Sequence, residues 1–334
     1  MIKKVGIVGG AGYIGCVAAD YFKEKKIEVE VFDTFYFNNE DYFIKKNIRY
    51  SNYDSRYPKK NIFKEFDLII DLASISNDPS GELNPIITKE INFQGRVNTY
   101  KLAIDSGVKY YILASSCSVY GENKNLVNES SVTAPQTTYA LANLEVERFI
   151  LKNKVENFYP IIFRQATVFG NSPRLRLDLV VNALIYYAFK NKSINLLRDG
   201  TQWRPMVGVN DLSYLYHALT PDDFINNSYE IFNIGFNSNN FQVAQLGNEI
   251  NKQFNYQLDI NWYGDPDKRS YKVDFTKAQK NLPIKKIDTI EKTTKELVSF
   301  FIEEKFELSN YNLTLNWYKD LIENKKLTTL NQKI

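Results

Sequence analysis

The chain has 334 residues, 44% hydrophobic, 24% charged and 14% aromatic, the composition of a folded protein with one large or two modest domains. Its 42 Lys and Arg against 39 Asp and Glu leave a net charge of +3, which points to neither a nucleic-acid nor a membrane partner, and no stretch approaches the roughly 20 apolar residues that cross a bilayer. Two cysteines (Cys16, Cys117) and one histidine (His217) argue against a disulfide framework, a metal centre and Ser-His-Asp catalysis, so a general base is sought among Tyr, Asp, Glu, Lys and Cys.

The first 120 residues alternate β-rich runs with helical patterns. "KVGIVGG" (4–10), "EVEVFD" (28–33), "NIRYS" (47–51), "DLIIDLA" (67–73) and "YYILASS" (110–116) read as strands, with amphipathic stretches at 13–25 and 88–106 between them. Nearly continuous apolar strands alternating with helices predict a Rossmann-type, doubly wound parallel sheet. A helix over 138–153 leads into another strand within 158–170, and after Gly170 the text changes: "NSPRLRLDLV", a helix over 178–191, a short strand near 194–197 and a turn at Asp199-Gly200. "YEIFNIG" (229–235) returns to the first sheet, residues 241–305 form a smaller α/β region, and 315–327 is a terminal amphipathic helix. The expected division is a dinucleotide-binding domain over 1–170, rejoined by 205–240, and a smaller α/β substrate domain over 171–204 and 241–330.

"GIVGGAGYIG" spaces Gly9, Gly12 and Gly15 three apart between a strand and a helix, so that backbone can approach a pyrophosphate at the helix N-terminus. Tyr13 and Ile14 open that helix. Asp33 ends the second strand, 18 residues beyond Gly15, where a carboxylate accepts from ribose hydroxyls and repels a 2′-phosphate, which favours NAD over NADP. Ala73 and Ser74 follow the fourth strand, at the edge where the cofactor would run. Ser116 ends the fifth strand at the same edge, and Tyr139 follows 23 residues later at the head of a helix.

"GGAGYIG", "DLAS", "INFQG", "SSCSVYG", the Tyr139 helix, "FRQATVFG", "PRLRLDLVVNAL", "DGTQWRPMVGVNDL" and "GDPDKRSY" together resemble the extended short-chain dehydrogenases/reductases, the family of NAD-dependent nucleotide-sugar epimerases and dehydratases. The resemblance spans nearly the whole chain. It implies that Tyr139 is the catalytic acid or base, that Ser116, paired with Tyr120, holds the substrate hydroxyl, and that NAD takes hydride from the sugar. It assigns Arg204 and Arg269 to the nucleotide diphosphate, Asn92 to the surroundings of the active site, Ser118 to the substrate wall, and Arg174 and Arg176 to the sugar or a subunit contact. Gly208 stands where the family's arginine motif continues to a histidine. A homodimer through helices 88–106 and 138–153 and a cytoplasmic role in bacterial surface-polysaccharide synthesis follow by analogy, with GDP-heptose among the possible substrates.

Two departures qualify it. The family pattern is Tyr-x-x-x-Lys, and here Asn143 replaces the lysine, leaving a hydrogen-bond donor for the ribose but no charge. A unit charge ~4 Å away at an effective dielectric of ~20 is worth about 4 kcal/mol, or about a thousandfold in the ionisation of a phenol. The expectation is a slow or alkaline-shifted enzyme, which Asn143→Lys would return toward neutral pH; the alternative is a non-catalytic NAD- and sugar-nucleotide-binding sensor or scaffold. Cys117 and Ser118 replace the Asp-Glu of the dehydratase branch, which argues against 4,6-dehydration and leaves oxidation or epimerisation at C4. Cys117 is expected as a wall residue, His217 as a packing residue and Asp211 as a helix cap.

Overall fold

Strands rich in Val, Ile and Phe, buried on both faces, need helices above and below them, and the fold supplies both. The computed structural model describes residues 1–256, 258–265 and 270–330. Its central sheet has seven strands, all parallel: β1 (Lys4–Val8), β2 (Glu28–Asp33), β3 (Arg49–Asn52), β4 (Leu68–Asp71), β5 (Tyr110–Ser116), β6 (Tyr159–Gln165) and β7 (Ile231–Ile234). They lie in the order β7-β6-β5-β4-β1-β2-β3. The winding reverses between β1 and β4, and the crevice beyond the carboxyl ends of such strands is where open α/β sheets take ligands.

Five helices position the site: α1 (Tyr13–Glu24), α2 (Arg96–Asp105), α3 (Thr138–Lys152), α4 (Val209–Ala218) and α5 (Thr314–Glu323). The helix expected over 88–106 is instead three pieces, an α-helical turn (Pro85–Lys89), a π-helical segment (Glu90–Gly95) and α2. A π segment carries an extra residue per turn and re-aims the side chains that follow it, Arg96 first among them. His217 on α4 packs against Tyr21 and Phe22 of α1, with ring centroids 5.5 and 5.9 Å away, as a packing residue should.

Much of the segment 205–240 packs in the first core, through Val207, Val209, Leu212, Leu215, Phe224 and Phe232, but not all of its strand residues enter the first sheet. Trp203–Gly208 pairs with Thr167–Phe169 and Asn240–Gln242 in a separate three-stranded sheet, and only β7 completes the large one. The run expected as one strand over 158–170 divides at Ala166, whose N–H still bonds to Ile234 O before Thr167 turns to its new partner. A second core has Leu184, Ile185, Leu196, Leu246, Leu297 and Phe301 at its centre. Helix α5 was expected with that second unit, yet it also packs on the first: Trp317 Nε1 donates to Tyr36 O at 2.8 Å, and Tyr318 meets Phe37 edge to face. No helix among the described residues is long and apolar enough to cross a membrane.

Candidate active site

A cavity of about 1030 Å³ runs along the carboxyl ends of β1, β4 and β5 and continues between the two cores. At one end the first turn supplies main chain. Gly9 has φ +77°, and a Cβ there would lie 2.6 Å from Ala73 N, so only glycine lets the turn pass this close to the end of β4. Gly12, Tyr13 and Ile14 line the same end. Tyr13 is anchored by its phenol, which donates to Gly170 O at 2.7 Å, so its ring ties the turn to the loop past β6.

Asp33 lines this end as well. Its two carboxylate oxygens accept from Ala11 N at 2.9 Å and Phe35 N at 3.0 Å, which fixes the group and leaves further lone pairs toward the cavity. Burial raises its pKa against the pull of those N–H groups. A main-chain cradle and an oriented carboxylate at the end of β2 fit a dinucleotide pyrophosphate and its adenosine ribose.

At the centre, Ser116, Ser118 and Tyr139 face the cavity. Thr137 caps α3, accepting from Ala140 N at 3.1 Å, and its own hydroxyl donates to Asp78 at 2.6 Å, so the segment 78–82 grips the head of the helix. Gly81 makes this possible, since even a methyl group there would come within 3.1 Å of the Tyr139 Cβ. Burial pushes the Tyr139 phenol above its ordinary pKa and Asp78 pushes it further; the Ser116 hydroxyl, hydrogen-bonded to it, and the cations Arg96 and Arg176 pull it back. The Ser118 hydroxyl is buried with no hydrogen-bond partner, an orphan on the wall. Cys117 points away, its Sγ donating to Arg164 O at 3.2 Å and its thiol pKa driven up by burial, which removes it as a nucleophile. Tyr120 is also structural, bonded to Asn233 and Arg164 in the core.

Two expected contacts sit behind the cavity wall. Asn143 is buried, its Oδ1 accepting from Arg96 Nη1 at 2.8 Å and its Nδ2 donating to Tyr139 O at 3.0 Å, so its carboxamide is engaged with protein and does not line the cavity. Asn92 is buried too, accepting from Ile75 N at 2.8 Å and donating to Ile75 O at 3.1 Å, which clamps the loop after β4. Both support the wall. Ala73 and Ser74 line it, as expected.

Arg174 and Arg176 both face the cavity. Arg176 forms a bidentate pair with Asp178, at 3.1 and 2.5 Å, and reaches the Ser76 hydroxyl at 3.0 Å. Arg174 lies toward the Asp33 end rather than the sugar end: its guanidinium is 3.7 Å from the Phe37 ring centroid and donates to Thr314 Oγ1, while its Nε is buried without a partner. Burial, with Arg176 beside it, lowers its pKa to about 10, so it remains a cation at neutral pH. At the far end, Arg204 donates to Trp203 O at 2.9 Å and lines the cavity with Tyr271. Arg269 lies outside the described residues. Asp211 caps α4, accepting from Gly208 N at 2.9 Å and from Ile287 and Asp288 N.

The sequence did not point to the parts of the wall made by Tyr36 and Phe37 or by Thr314, Leu315 and Tyr318 of α5. Nor did it point to Arg96. One signal was available: Asp71 closes an otherwise apolar strand, and a carboxylate there needs a buried donor.

A profile of the NAD dependent epimerase/dehydratase family matches residues 5–235. Among curated relatives, a UDP-glucuronate 4-epimerase of Thermodesulfobacterium geofontis is 27% identical over 271 residues, 79% of this chain and 76% of its own. A putative UDP-glucose 4-epimerase of Methanocaldococcus jannaschii is 28% identical over 217 residues, covering 62% and 70%. Among solved structures, the UDP-glucose 4-epimerase of Thermotoga maritima with UDP-glucose has a TM-score of 0.79 at 22% identity, over 91% of this chain and 100% of that one. MoeE5 in complex with UDP-glucose and NAD has a TM-score of 0.78 at 18% identity, over the same shares. With that match over most of its length and a crevice that fits the dinucleotide, the chain belongs to the NAD-dependent epimerase/dehydratase family, enzymes of nucleotide sugars.

Proposed function

We propose that this protein oxidises or epimerises a nucleotide-diphosphate sugar at C4, with Tyr139 as the acid/base. The observation that carries this is the Tyr139 phenol, held beside Ser116 on the wall of one continuous cavity that also takes in Gly9, Asp33 and Arg204. NAD, when bound, supplies the hydride acceptor and donor. Ser116 orients the sugar hydroxyl, and Tyr139 takes its proton as the carbon is oxidised and returns it on reduction. Arg204 meets the diphosphate, for which a guanidinium is suited. Arg174 and Ser118 carry unpartnered buried polar atoms at the wall and are further ligand contacts in this reading. A buried Cys117 and the neutral Ser118, with no carboxylic acid at either position, favour redox chemistry over 4,6-dehydration.

The setting follows from the same likeness: a cytoplasmic homodimer serving bacterial surface-polysaccharide synthesis, paired through the faces of α2 and α3. A second reading, a sensor or scaffold that binds NAD and sugar nucleotide without turnover, is favoured only by the missing cation at Asn143. Incubating the protein with NAD and UDP-, GDP-, CDP- and dTDP-sugars, with product identification, separates them. Epimer or 4-keto product from at least one sugar is expected; bound cofactor with no product from any sugar up to about pH 10, the range of a free phenol, would overturn the enzymatic reading.

A further inference from the structure

We infer that Arg96 is the electrostatic stand-in for the lysine absent at position 143, a positioning residue that delivers a positive charge to Tyr139 from α2 instead of α3. This rests on Tyr139 being the acid/base.

Arg96 is fully buried, an expensive place for a guanidinium unless its bonds are aimed. Its Nη1 donates to Asn143 Oδ1 at 2.8 Å, and the same carboxamide donates to the main-chain oxygen of Tyr139 at 3.0 Å. Its Nη2 donates to Ala114 O at 2.7 Å and Asp71 O at 3.1 Å, main-chain atoms at the ends of the strands whose next residues, Ala73 and Ser116 among them, form the cavity wall. The π-helical segment ending at Gly95 delivers the side chain inward at this level.

The counter-ion is shared among several donors. Asp71 meets Nε at the longer distance of 3.4 Å, and its carboxylate is shared with two further donors, the Tyr111 phenol at 2.7 Å and Ala73 N at 3.2 Å. The counter-charge is therefore spread over three donors, whereas Arg96 turns both Nη atoms toward Asn143 and the strand ends. A guanidinium so paired acts on the phenol more weakly than a bare cation. The groups around Tyr139 are Ser116 at the end of β5, Asp78 before the α3 cap, Arg176 on the loop past β6, Arg96 on α2 and Tyr271. Of these, Arg96 and Arg176 favour the phenolate and Asp78 opposes it; each arginine has its own carboxylate partner, Asp71 and Asp178, the Asp71 contact being the longer. Asn143 is then more than a lost lysine. A lysine there would set a second cation within hydrogen-bond distance of Arg96.

The test compares wild type with R96Q, R96K, N143K, the exchange R96Q/N143K and the charge-neutral pair D71N/R96Q. Two quantities are followed in each: the pH profile of kcat and the ultraviolet titration of the Tyr139 phenolate, taken as the difference from Y139F. In R96Q the phenolate titration and the profile move to higher pH by about one unit and kcat at pH 7 falls about tenfold, with KM changed less than about threefold. R96K keeps the wild-type profile, R96Q/N143K restores it, and N143K alone lowers thermal stability without gaining activity at neutral pH. If R96Q is too unstable to assay, D71N/R96Q carries the same prediction without an unpaired carboxylate. A displaced phenolate titration in a protein that turns over no sugar would leave this inference standing and remove the enzymatic reading. Turnover that depends on Tyr139, with titration and profile unmoved in both neutral variants, would make Arg96 a strand-end peg and overturn it.

Discussion

The two ends of the cavity are built from different materials. The Gly9–Asp33 end is mostly main chain, a left-handed glycine turn against the exit of β4 and a carboxylate whose direction is set by two backbone N–H groups. The Arg204 end is side chain, with a guanidinium and Tyr271 contributed by separate segments of the chain. Main-chain geometry is altered only by changing the backbone, so the first end should tolerate polar substitutions better than steric ones. The second should show the reverse, with losses confined to the substrate.

The sharpest way to break that contrast is Gly9→Ala. The new methyl group would meet Ala73 N at 2.6 Å in a left-handed turn, so a loss of about 3 kcal/mol of stability is expected, with dinucleotide binding weakened at least about a hundredfold. Calorimetry and NAD titration check both. Asp178→Asn probes the joint between the ends, because it strips the carboxylate from buried Arg176 and leaves two cations in contact with the cavity; about 3 kcal/mol of destabilisation should appear in urea melts. The same residue has a pH signature. Arg176 beside it holds the Asp178 carboxyl down to about 2, below the ordinary 3.8. A depressed carboxylate contributes above its unfolded pKa and loses that contribution as pH falls, so about 2 kcal/mol present above pH ~4 should vanish on the way to pH ~2. In Asp178→Asn that part of the acid limb should be missing.

Smaller effects divide by end. Arg204→Gln should raise KM for the nucleotide sugar about tenfold to thirtyfold, the worth of a charge-assisted hydrogen bond, while NAD affinity stays within about twofold. Equal losses toward both ligands would erase the distinction between the ends. Asp33→Asn should weaken NAD by about tenfold or less and reduce discrimination against NADP, because the carboxamide keeps the shape but not the charge.

The first end was legible from the residues alone, because it depends on local spacing. Gly9, Gly12 and Asp33 sit where strand, turn and strand put them, and β2 and β5 run over the anticipated residues 28–33 and 110–116. What local patterns do not carry is pairing across long intervals. The contact between Arg96 and Asn143 joins residues 47 apart, and nothing in "INFQGRVNTY" distinguishes an inward arginine from a solvated one until the π-helical turn is known. For the same reason the spacing of Tyr139 and Asn143 put Tyr139 on the cavity wall but suggested that the asparagine would meet the cofactor, whereas its carboxamide is turned into the wall. The strand Trp203–Gly208 was not read from the sequence at all, and β-propensity would not have said which sheet it joins.

The most direct test of the account is kcat for Tyr139→Phe against wild type, measured with NAD and an accepted nucleotide sugar, alongside the affinity of both proteins for NAD. The account predicts a loss of at least about a hundredfold in kcat, the usual worth of a positioned acid/base, with NAD affinity nearly unchanged. A phenylalanine variant that turns over sugar at the wild-type rate would contradict it.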